Sequence, residues 1–127
     1  MRRKINVLVA EDSAVLRMVA LANLRKFPVA VVFANDGSEA VSKFREYDFD
    51  LVFMDIAMPG KDGIQATKEI RQIEQRTGRR VPIIAITASD TRDSCLQAGM
   101  DDFVSKPADY FRVFQKWCAD LVQSETA

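Results

Sequence analysis

The 127-residue sequence contains no histidine. This absence excludes a histidine nucleophile, a histidine general base and histidine metal ligands from the chain itself. Cysteine is also scarce: Cys95 and Cys118 form one pair without the spacing of metal ligands. The default for such a chain is a reduced protein of the cytoplasm, which is the location we expect.

Net charge and long apolar runs are missing as well. Lys and Arg total 18 and so do Asp and Glu, so bulk charge does not favour nucleic acid or a membrane surface as a partner. No stretch is long enough to span a bilayer, and residues 1–4 form a solvated lead-in to a strand, not a signal peptide. With 48% hydrophobic and 28% charged residues, the chain has the composition of a globular protein, and we expect one domain over residues 1–127.

The most informative stretch of the sequence surrounds Asp55. Four apolar residues, 51–54, run directly into this carboxylate, and Pro59, Gly60 and Gly63 mark a loop after it. A short continuous apolar run predicts a strand buried on both faces, as in the middle of a parallel sheet. Asp55 is therefore placed at the carboxyl end of a central strand, where open α/β folds bind ligands.

Apolar runs and helical periodicities alternate five times along the chain. Parallel strands need crossover helices, so this pattern predicts an α/β fold with helices on both faces of a five-stranded parallel sheet, in the flavodoxin-like order 2-1-3-4-5. The first helix places Leu16, Ala20, Leu24 and Phe27 on one face and is expected to end at Pro28. We predict strands at residues 5–10, 29–34, 51–55, 81–88 and 102–105, a fourth helix at 91–98 and a last helix at 108–123.

Charged and hydroxyl residues follow the ends of these strands. Glu11 and Asp12 follow the first strand, Asp55 ends the third, Thr87 ends the fourth and Lys106 follows the fifth. Because the first and third strands are neighbours in the predicted order, three carboxylates converge there. Like charges held close raise one another's pKa unless positive charge intervenes, so a divalent cation and one ammonium group are the natural compensation.

Oxygen ligands of this kind suit Mg²⁺. The expected ligands are Glu11 or Asp12, directly or through water, together with Asp55 and the backbone carbonyl of Ala57. This set also suits phosphoryl transfer onto a carboxylate, a reaction that depends on positioning and on charge neutralisation. Asp55 would be the nucleophile, Thr87 would donate a hydroxyl group, and Lys106 with Mg²⁺ would bear on the transferring oxygens.

Five motifs occur in order along the chain. They are VAEDS at 9–13, NDG at 35–37, DLVFMDIAMPGKDG at 50–63, IAITA at 84–88 and AGMDDFVSKP at 98–107. On these motifs the sequence resembles, over essentially its whole length, the receiver (response-regulator) domain of two-component phosphorelays, whose fold is CheY-like. The stretches 55–63 and 98–107 look most like receivers of hybrid histidine kinases.

The resemblance implies a function and roles for particular residues. It implies that Asp55 receives a phosphoryl group from the phosphohistidine of a histidine kinase or histidine phosphotransfer protein, with Mg²⁺ bound near Glu11 and Asp12. It implies that Thr87 and Lys106 contact the phosphoryl group and that the peptide bond between Lys106 and Pro107 is cis.

The resemblance also implies how the signal leaves the site. Thr87 would move toward the phosphoryl group and Phe103 would swing into the space it leaves, although spacing alone makes Phe103 a core aromatic. The output face would comprise the fourth helix, the fifth strand and the last helix, acting on a downstream protein. Such a protein is a switch with modest self-catalysed phosphoryl transfer and dephosphorylation and not an enzyme, and we expect no nucleic acid or membrane contact.

Two positions depart from the family pattern. Thr87 and Gly99 are only twelve positions apart, about three fewer than is typical of a receiver and close to one helical turn. We therefore expect a short or irregular fourth helix. Phe111 lies beside the inward stripe of the last helix, where a polar residue is expected, and is either a partner anchor or an unremarkable apolar residue.

Three other functions fit the residues less well. An aspartyl-phosphate phosphatase generally carries a second aspartate two residues after the nucleophile, where this chain has Ala57. A flavodoxin-type FMN carrier needs a Ser/Thr/Gly-rich phosphate loop after the first strand, where Glu11 and Asp12 would repel phosphate. A purely structural interaction domain does not account for the complete charged site. The chain has no P-loop and no helix-turn-helix pattern that would favour an ATPase or a DNA-binding protein.

Overall fold

The structure, a computed structural model, describes residues 4–88 and 91–126, with side chains up to residue 121. The basic lead-in at residues 2–3 lies outside the described residues. The elements are β1 Ile5–Ala10, α1 Ala14–Leu24, β2 Val29–Ala34, α2 Gly37–Glu46, β3 Leu51–Asp55, α3 Gly63–Thr77, β4 Ile83–Thr87, α4 Arg92–Gln97, β5 Asp102–Ser105 and α5 Tyr110–Thr126.

The five strands form one parallel sheet in the order β2-β1-β3-β4-β5, which confirms the predicted topology. The register aligns Ala10 with Met54, Asp55 with Ile86, and Thr87 with Ser105. The carboxyl ends of β1, β3, β4 and β5 therefore meet at one edge of the sheet.

Helices cover both faces of the sheet, as the alternation of elements predicts. Because side chains alternate along a strand, each central strand contributes to two cores. One core lies under α2 and α3 and the other under α1 and α5. The first includes Leu8, Val52, Met54, Ile70 and Ile83, and the second includes Val7, Leu51, Phe53, Ile84 and Phe114.

Several predicted element ends are wrong. Helix α1 ends at Leu24, four residues before Pro28, and Phe27 packs through the following loop, its ring 4.3 Å from that of Phe114. Strand β4 begins at Ile83 and not at residue 81. The backbone N–H of Val81 instead donates to the buried carboxylate of Glu74, 2.6 Å away, so it is not available to a strand ladder.

The fourth helix is short, as predicted from the length of the chain before Gly99. Helix α4 has six residues, and the N–H groups of Gly99 and Met100 bond back to the carbonyls of Leu96 and Cys95 to close it. No helix among the described residues has both the length and the apolar character needed to cross a membrane.

Helix α5 begins at Tyr110, two residues later than predicted, because the Asp109 carboxylate caps the N–H of Arg112. Cys118 is buried in its inward stripe, which the sequence analysis did not expect. Phe111 is half-buried: its ring lies 4.7 Å from that of Phe27, and the Lys26 ammonium lies 5.4 Å from its centroid. These contacts explain an apolar residue at this position without a partner.

Candidate functional site

Two strand ends bring the predicted acidic residues together. Glu11 follows β1 directly, and Asp55 ends the neighbouring β3. Carboxylate oxygens of Glu11, Asp12 and Asp55 all lie within 4.8 Å of one another. Glu11 and Asp55 are 1% and 2% exposed, whereas Asp12 is exposed to solvent. Two carboxylates of the cluster are therefore buried and the third is accessible.

Lys106 supplies positive charge to this cluster. Its ammonium group lies 3.0 Å from Asp55 Oδ2 and 3.2 Å from Glu11 Oε1. The backbone N–H of Lys106 donates to the carbonyl of Thr87 at 2.8 Å, and the peptide bond to Pro107 is cis. The lysine is therefore held from the backbone as well as by the carboxylates it contacts.

The pKa directions show how the charges balance. Burial raises the pKa of Glu11, and the neighbouring Asp55 charge adds to this, against the opposing effects of the Ser13 N–H and Lys106. Burial acts to lower the pKa of Lys106, but its hydrogen bond to Asp55 and the attraction of the Asp55 and Glu11 charges outweigh burial and raise it. At neutral pH the site thus holds a protonated Lys106 between the carboxyl groups of Asp55 and Glu11.

Two residues that the sequence analysis did not assign to the site shape it. The N–H of Ser13 donates to Glu11 Oε2 at 3.0 Å, and Ser13 Oγ caps α1 by accepting from Leu16 N–H. Arg17 donates to the carbonyl oxygen of Glu11 at 2.9 Å. Both residues could have been found from the sequence. Ser13 is of a residue type favoured at the N-cap and precedes an apolar helix, and Arg17 is the one charged residue of residues 14–24.

The loop after β3 approaches the acidic residue closely. The N–H of Ala57 donates to Asp55 Oδ1 at 3.2 Å, and the N–H of Gly63 donates to the carbonyl of Ile56 at 3.1 Å. A Cβ atom on Gly63 would lie 2.3 Å from the Asp55 carbonyl oxygen. Gly63 is therefore required for this packing, whereas the sequence analysis used it only as a loop marker.

Thr87 and Phe103 lie on the two strands beyond Asp55. Thr87 is buried at the end of β4, level with Ser105 of β5. Phe103 is half-buried against the core under α2 and α3, and it pairs with Ala85, two residues before Thr87. The fold thus places the two predicted switch residues on adjacent strands.

The donor set fits a hard divalent cation. Glu11 Oε1 is buried and accepts no hydrogen bond within the described part of the chain, although the Lys106 ammonium is near it. An oxygen left in this condition is costly unless it has a further partner. Together with Asp12 and Asp55 it offers oxygen ligands only, the set that Mg²⁺ prefers.

Comparisons with known proteins give one consistent result. A family model described as the response regulator receiver domain matches residues 7–116. The hybrid signal transduction protein dokA of Dictyostelium discoideum is 36% identical over 119 residues, which cover 94% of this chain and 7% of that protein. This chain thus spans a small part of such relatives, between 5% and 14% of the length of those compared.

Two solved structures are similar in fold and in sequence. The receiver domain of the Pseudomonas aeruginosa sensor histidine kinase PA1611, with magnesium in its active site cleft, is 39% identical with a TM-score of 0.80, covering 92% of this chain and 99% of that one. The receiver domain of Saccharomyces cerevisiae Ssk1, crystallised with the histidine phosphotransfer protein Ypd1, is 32% identical with a TM-score of 0.81, covering 93% and 89%.

Proposed function

The chain belongs to the response regulator receiver domain family of two-component and phosphorelay systems, and from this premise we propose that Asp55 is its phosphoacceptor. The observation that carries the proposal is the Asp55 carboxylate at the end of β3, within 4.8 Å of two further carboxylates and 3.0 Å from an ammonium group. In this proposal one Asp55 oxygen attacks the phosphorus atom of a phosphohistidine. The N–P bond breaks, and the imidazole keeps the electron pair and takes a proton from solvent.

The residues around Asp55 have separate tasks in this step. The Lys106 ammonium holds Asp55 in place through Oδ2 and faces the oxygens of the incoming group, where negative charge must be neutralised. The Ala57 N–H holds the other carboxylate oxygen. Thr87 supplies a hydroxyl group at the end of β4, where it reaches the acyl phosphate once it forms.

Glu11, Asp12 and Asp55 would hold Mg²⁺ together with the carbonyl of Ala57. When bound, the ion neutralises the oxygens of the phosphoryl group during transfer. The magnesium reported in the PA1611 receiver supports this assignment, as does the unsatisfied Glu11 oxygen in this chain.

The phosphoryl donor lies outside these 127 residues, since none of them is histidine. A histidine kinase or a histidine phosphotransfer protein is the expected donor. The Ssk1 receiver was crystallised with such a phosphotransfer protein, and several relatives are histidine kinases. The output in this proposal is a shift of Thr87 and Phe103 that alters the face formed by α4, β5 and α5, which a downstream protein reads.

Transfer from a phosphohistidine protein tests the proposal. A histidine phosphotransfer protein carrying ³²P-phosphate is mixed with the parent chain, with Asp55→Asn, and with Asp62→Asn as the matched control, since asparagine caps α3 as well as aspartate does. Label is expected on the parent and on Asp62→Asn in Mg²⁺, and none on Asp55→Asn or in chelator. Label on Asp55→Asn at the parent rate would refute the assignment.

A further inference from the structure

Strand β5 is the least secured part of the sheet. It has four residues and lies at the sheet edge, where it pairs only with β4 among the described residues, and none of its four residues is fully buried. It nevertheless carries Phe103 and leads directly to Lys106. Its apolar residues Phe103 and Val104 are only half-buried, so polar contacts add to core packing and to the β4 ladder in fixing its position.

Asp101, immediately before β5, is bound to the α3 side of the sheet. Its Oδ2 accepts from the Ile83 N–H at 2.8 Å and from Arg71 at 2.7 Å, and its Oδ1 accepts from Arg80 at 2.8 Å. The Arg71 side chain is only 12% exposed and also donates to the Gly99 carbonyl at 2.9 Å. Each oxygen of this carboxylate therefore accepts one charge-assisted bond, the stronger kind of hydrogen bond.

Asp102, the first residue of β5, is bound to the opposite side. Its Oδ2 accepts from the Lys116 ammonium at 3.1 Å and from the Trp117 indole N–H at 3.4 Å, both on α5, and its Oδ1 accepts from the Phe103 N–H at 2.8 Å. Burial acts to raise the pKa of Asp102, but these donors outweigh burial and lower it. The carboxylate therefore stays charged in its contacts with α5.

Side chains alternate along a strand, so consecutive residues face opposite sides of the sheet. Asp101 and Phe103 face the core under α3, while Asp102 and Val104 face α5. We propose that Asp101 and Asp102 form a two-sided anchor that fixes the amino end of β5 between α3 and α5, while its carboxyl end follows the charge at Asp55.

The two ends of β5 differ in what they are bound to. The amino end is bound to helices and to the start of β4, far from the acidic cluster. At the carboxyl end, the Lys106 N–H bonds to the Thr87 carbonyl and the Lys106 ammonium bonds to Asp55, so both contacts lie at the phosphoacceptor. The role of the anchor in switching rests on the proposed function. The contacts that form the anchor are present in the unphosphorylated chain.

Amide hydrogen exchange measured by NMR tests the anchor at two backbone bonds. The Asp101 N–H, bound to the Ile83 carbonyl at 2.8 Å, reports on the amino end, and the Lys106 N–H reports on the carboxyl end. Beryllofluoride with Mg²⁺ is the probe for the phosphorylated state. In the parent we expect it to change exchange at Lys106 by about tenfold or more and at Asp101 by less than about twofold.

Substitution distinguishes a two-sided anchor from one ordinary ion pair. Asp101→Asn and Asp102→Asn singly should each raise Asp101 amide exchange by less than about threefold, because the other side still holds the strand, whereas the double variant should raise it by more than about tenfold. Asp93→Asn with Asp120→Asn, both exposed, is the matched control and should leave exchange unchanged.

Three results would overturn the anchor. One is that either single substitution raises Asp101 amide exchange as much as the double substitution does. A second is that the Asp101 amide of the double variant exchanges at the parent rate. The third is a parent whose Asp101 amide responds to beryllofluoride as strongly as its Lys106 amide. If beryllofluoride changes no amide, the proposed function fails, and the double variant without ligand still decides the anchor. If that variant does not fold, Arg71→Gln with Lys116→Gln removes a donor from each side and is measured in the same way.

Discussion

Glu11 illustrates at the scale of one residue how a functional site costs stability. Its carboxylate is 1% exposed, one oxygen lacks a hydrogen bond within the described residues, and burial raises its pKa. A raised carboxyl pKa means that the folded chain binds the proton more tightly than the unfolded chain does. The stability of the fold therefore falls as pH rises from 4.5, the ordinary value, through the raised pKa.

We accordingly predict that Glu11→Gln stabilises the domain at pH 7. The glutamine amide keeps an oxygen that accepts from the Ser13 N–H, and the buried charge is removed. The free energy of unfolding should therefore rise by roughly 1 kcal/mol, and Tm by a few degrees. Mg²⁺ affinity, measured by titration calorimetry, should fall by about tenfold or more, because the amide NH2 group, which does not bind Mg²⁺, replaces the charged Oε1. Glu46→Gln, an exposed substitution, is the control; a lower Tm for Glu11→Gln would contradict this account.

Lys106 carries the second prediction at this scale. Removing its charge with Lys106→Met leaves Asp55 and Glu11 without the ammonium that lies 3.0 and 3.2 Å from them. The rate of labelling by acetyl phosphate at saturating Mg²⁺ should fall by about 10- to 100-fold, in the range for loss of one electrostatic donor. Lys26→Met, at the far end of the molecule, should label at the parent rate. An unchanged rate in Lys106→Met would exclude the proposed role.

At the scale of elements, the junction of β3 and α3 positions the acidic residue. A Cβ on Gly63 would meet the Asp55 carbonyl at 2.3 Å, and this carbonyl belongs to the backbone that carries the proposed nucleophile. Gly63→Ala should therefore lower stability by about 2 kcal/mol or more and also slow labelling of Asp55. Intact mass and thermal unfolding measure the two effects.

Gly78→Ala is the matched control for that junction. Gly78 ends α3 at φ 73°, a conformation that alanine adopts with strain, but no neighbouring atom in the described part of the chain lies within 4 Å of its added Cβ. Gly78→Ala should lower the free energy of unfolding by about 1 kcal/mol and leave the labelling rate of Asp55 unchanged. Equal slowing of labelling by both substitutions would mean that stability, and not the position of Asp55, controls the rate.

The elements also show which features sequence patterns can predict. The buried runs of β1, β3 and β4 and their alternation with helices predicted the sheet order, and that order brought Glu11 and Asp55 together. The start of β4 was not predictable, because it depends on Glu74 bonding to Val81 from another element. The contacts of Asp101 with Arg71, 30 residues away, were missed for the same reason.

At the scale of the whole molecule, alkaline stability depends on two buried groups of α5. Burial raises the pKa of Cys118 from 9.0 to about 12, with the charge of Asp50 contributing, and it raises the pKa of Tyr110 from 10.0 to about 12, with Glu11 and Asp55 contributing. The unfolded chain loses these protons at lower pH than the folded chain. Stability therefore falls as pH rises from about 9 toward 12.

Urea denaturation at pH 8, 10 and 11 measures this fall. Each group lowers the free energy of unfolding by up to about 1.4 kcal/mol per pH unit above the pKa that it has in the unfolded chain. Cys118→Ala and Tyr110→Phe should each flatten the dependence, and Tyr47→Phe, an exposed position, should not. A parent whose free energy of unfolding is constant from pH 8 to 11 would contradict the burial of both groups.

The whole account depends on Asp55 as the acceptor of one phosphoryl group. The most direct measurement is intact mass after incubation with acetyl phosphate and Mg²⁺, followed by peptide mapping, on the parent and on Asp55→Asn. The account predicts one added phosphoryl group on the parent, located at Asp55, and none on the variant or in chelator. An adduct that persists in Asp55→Asn or maps to another residue would contradict it.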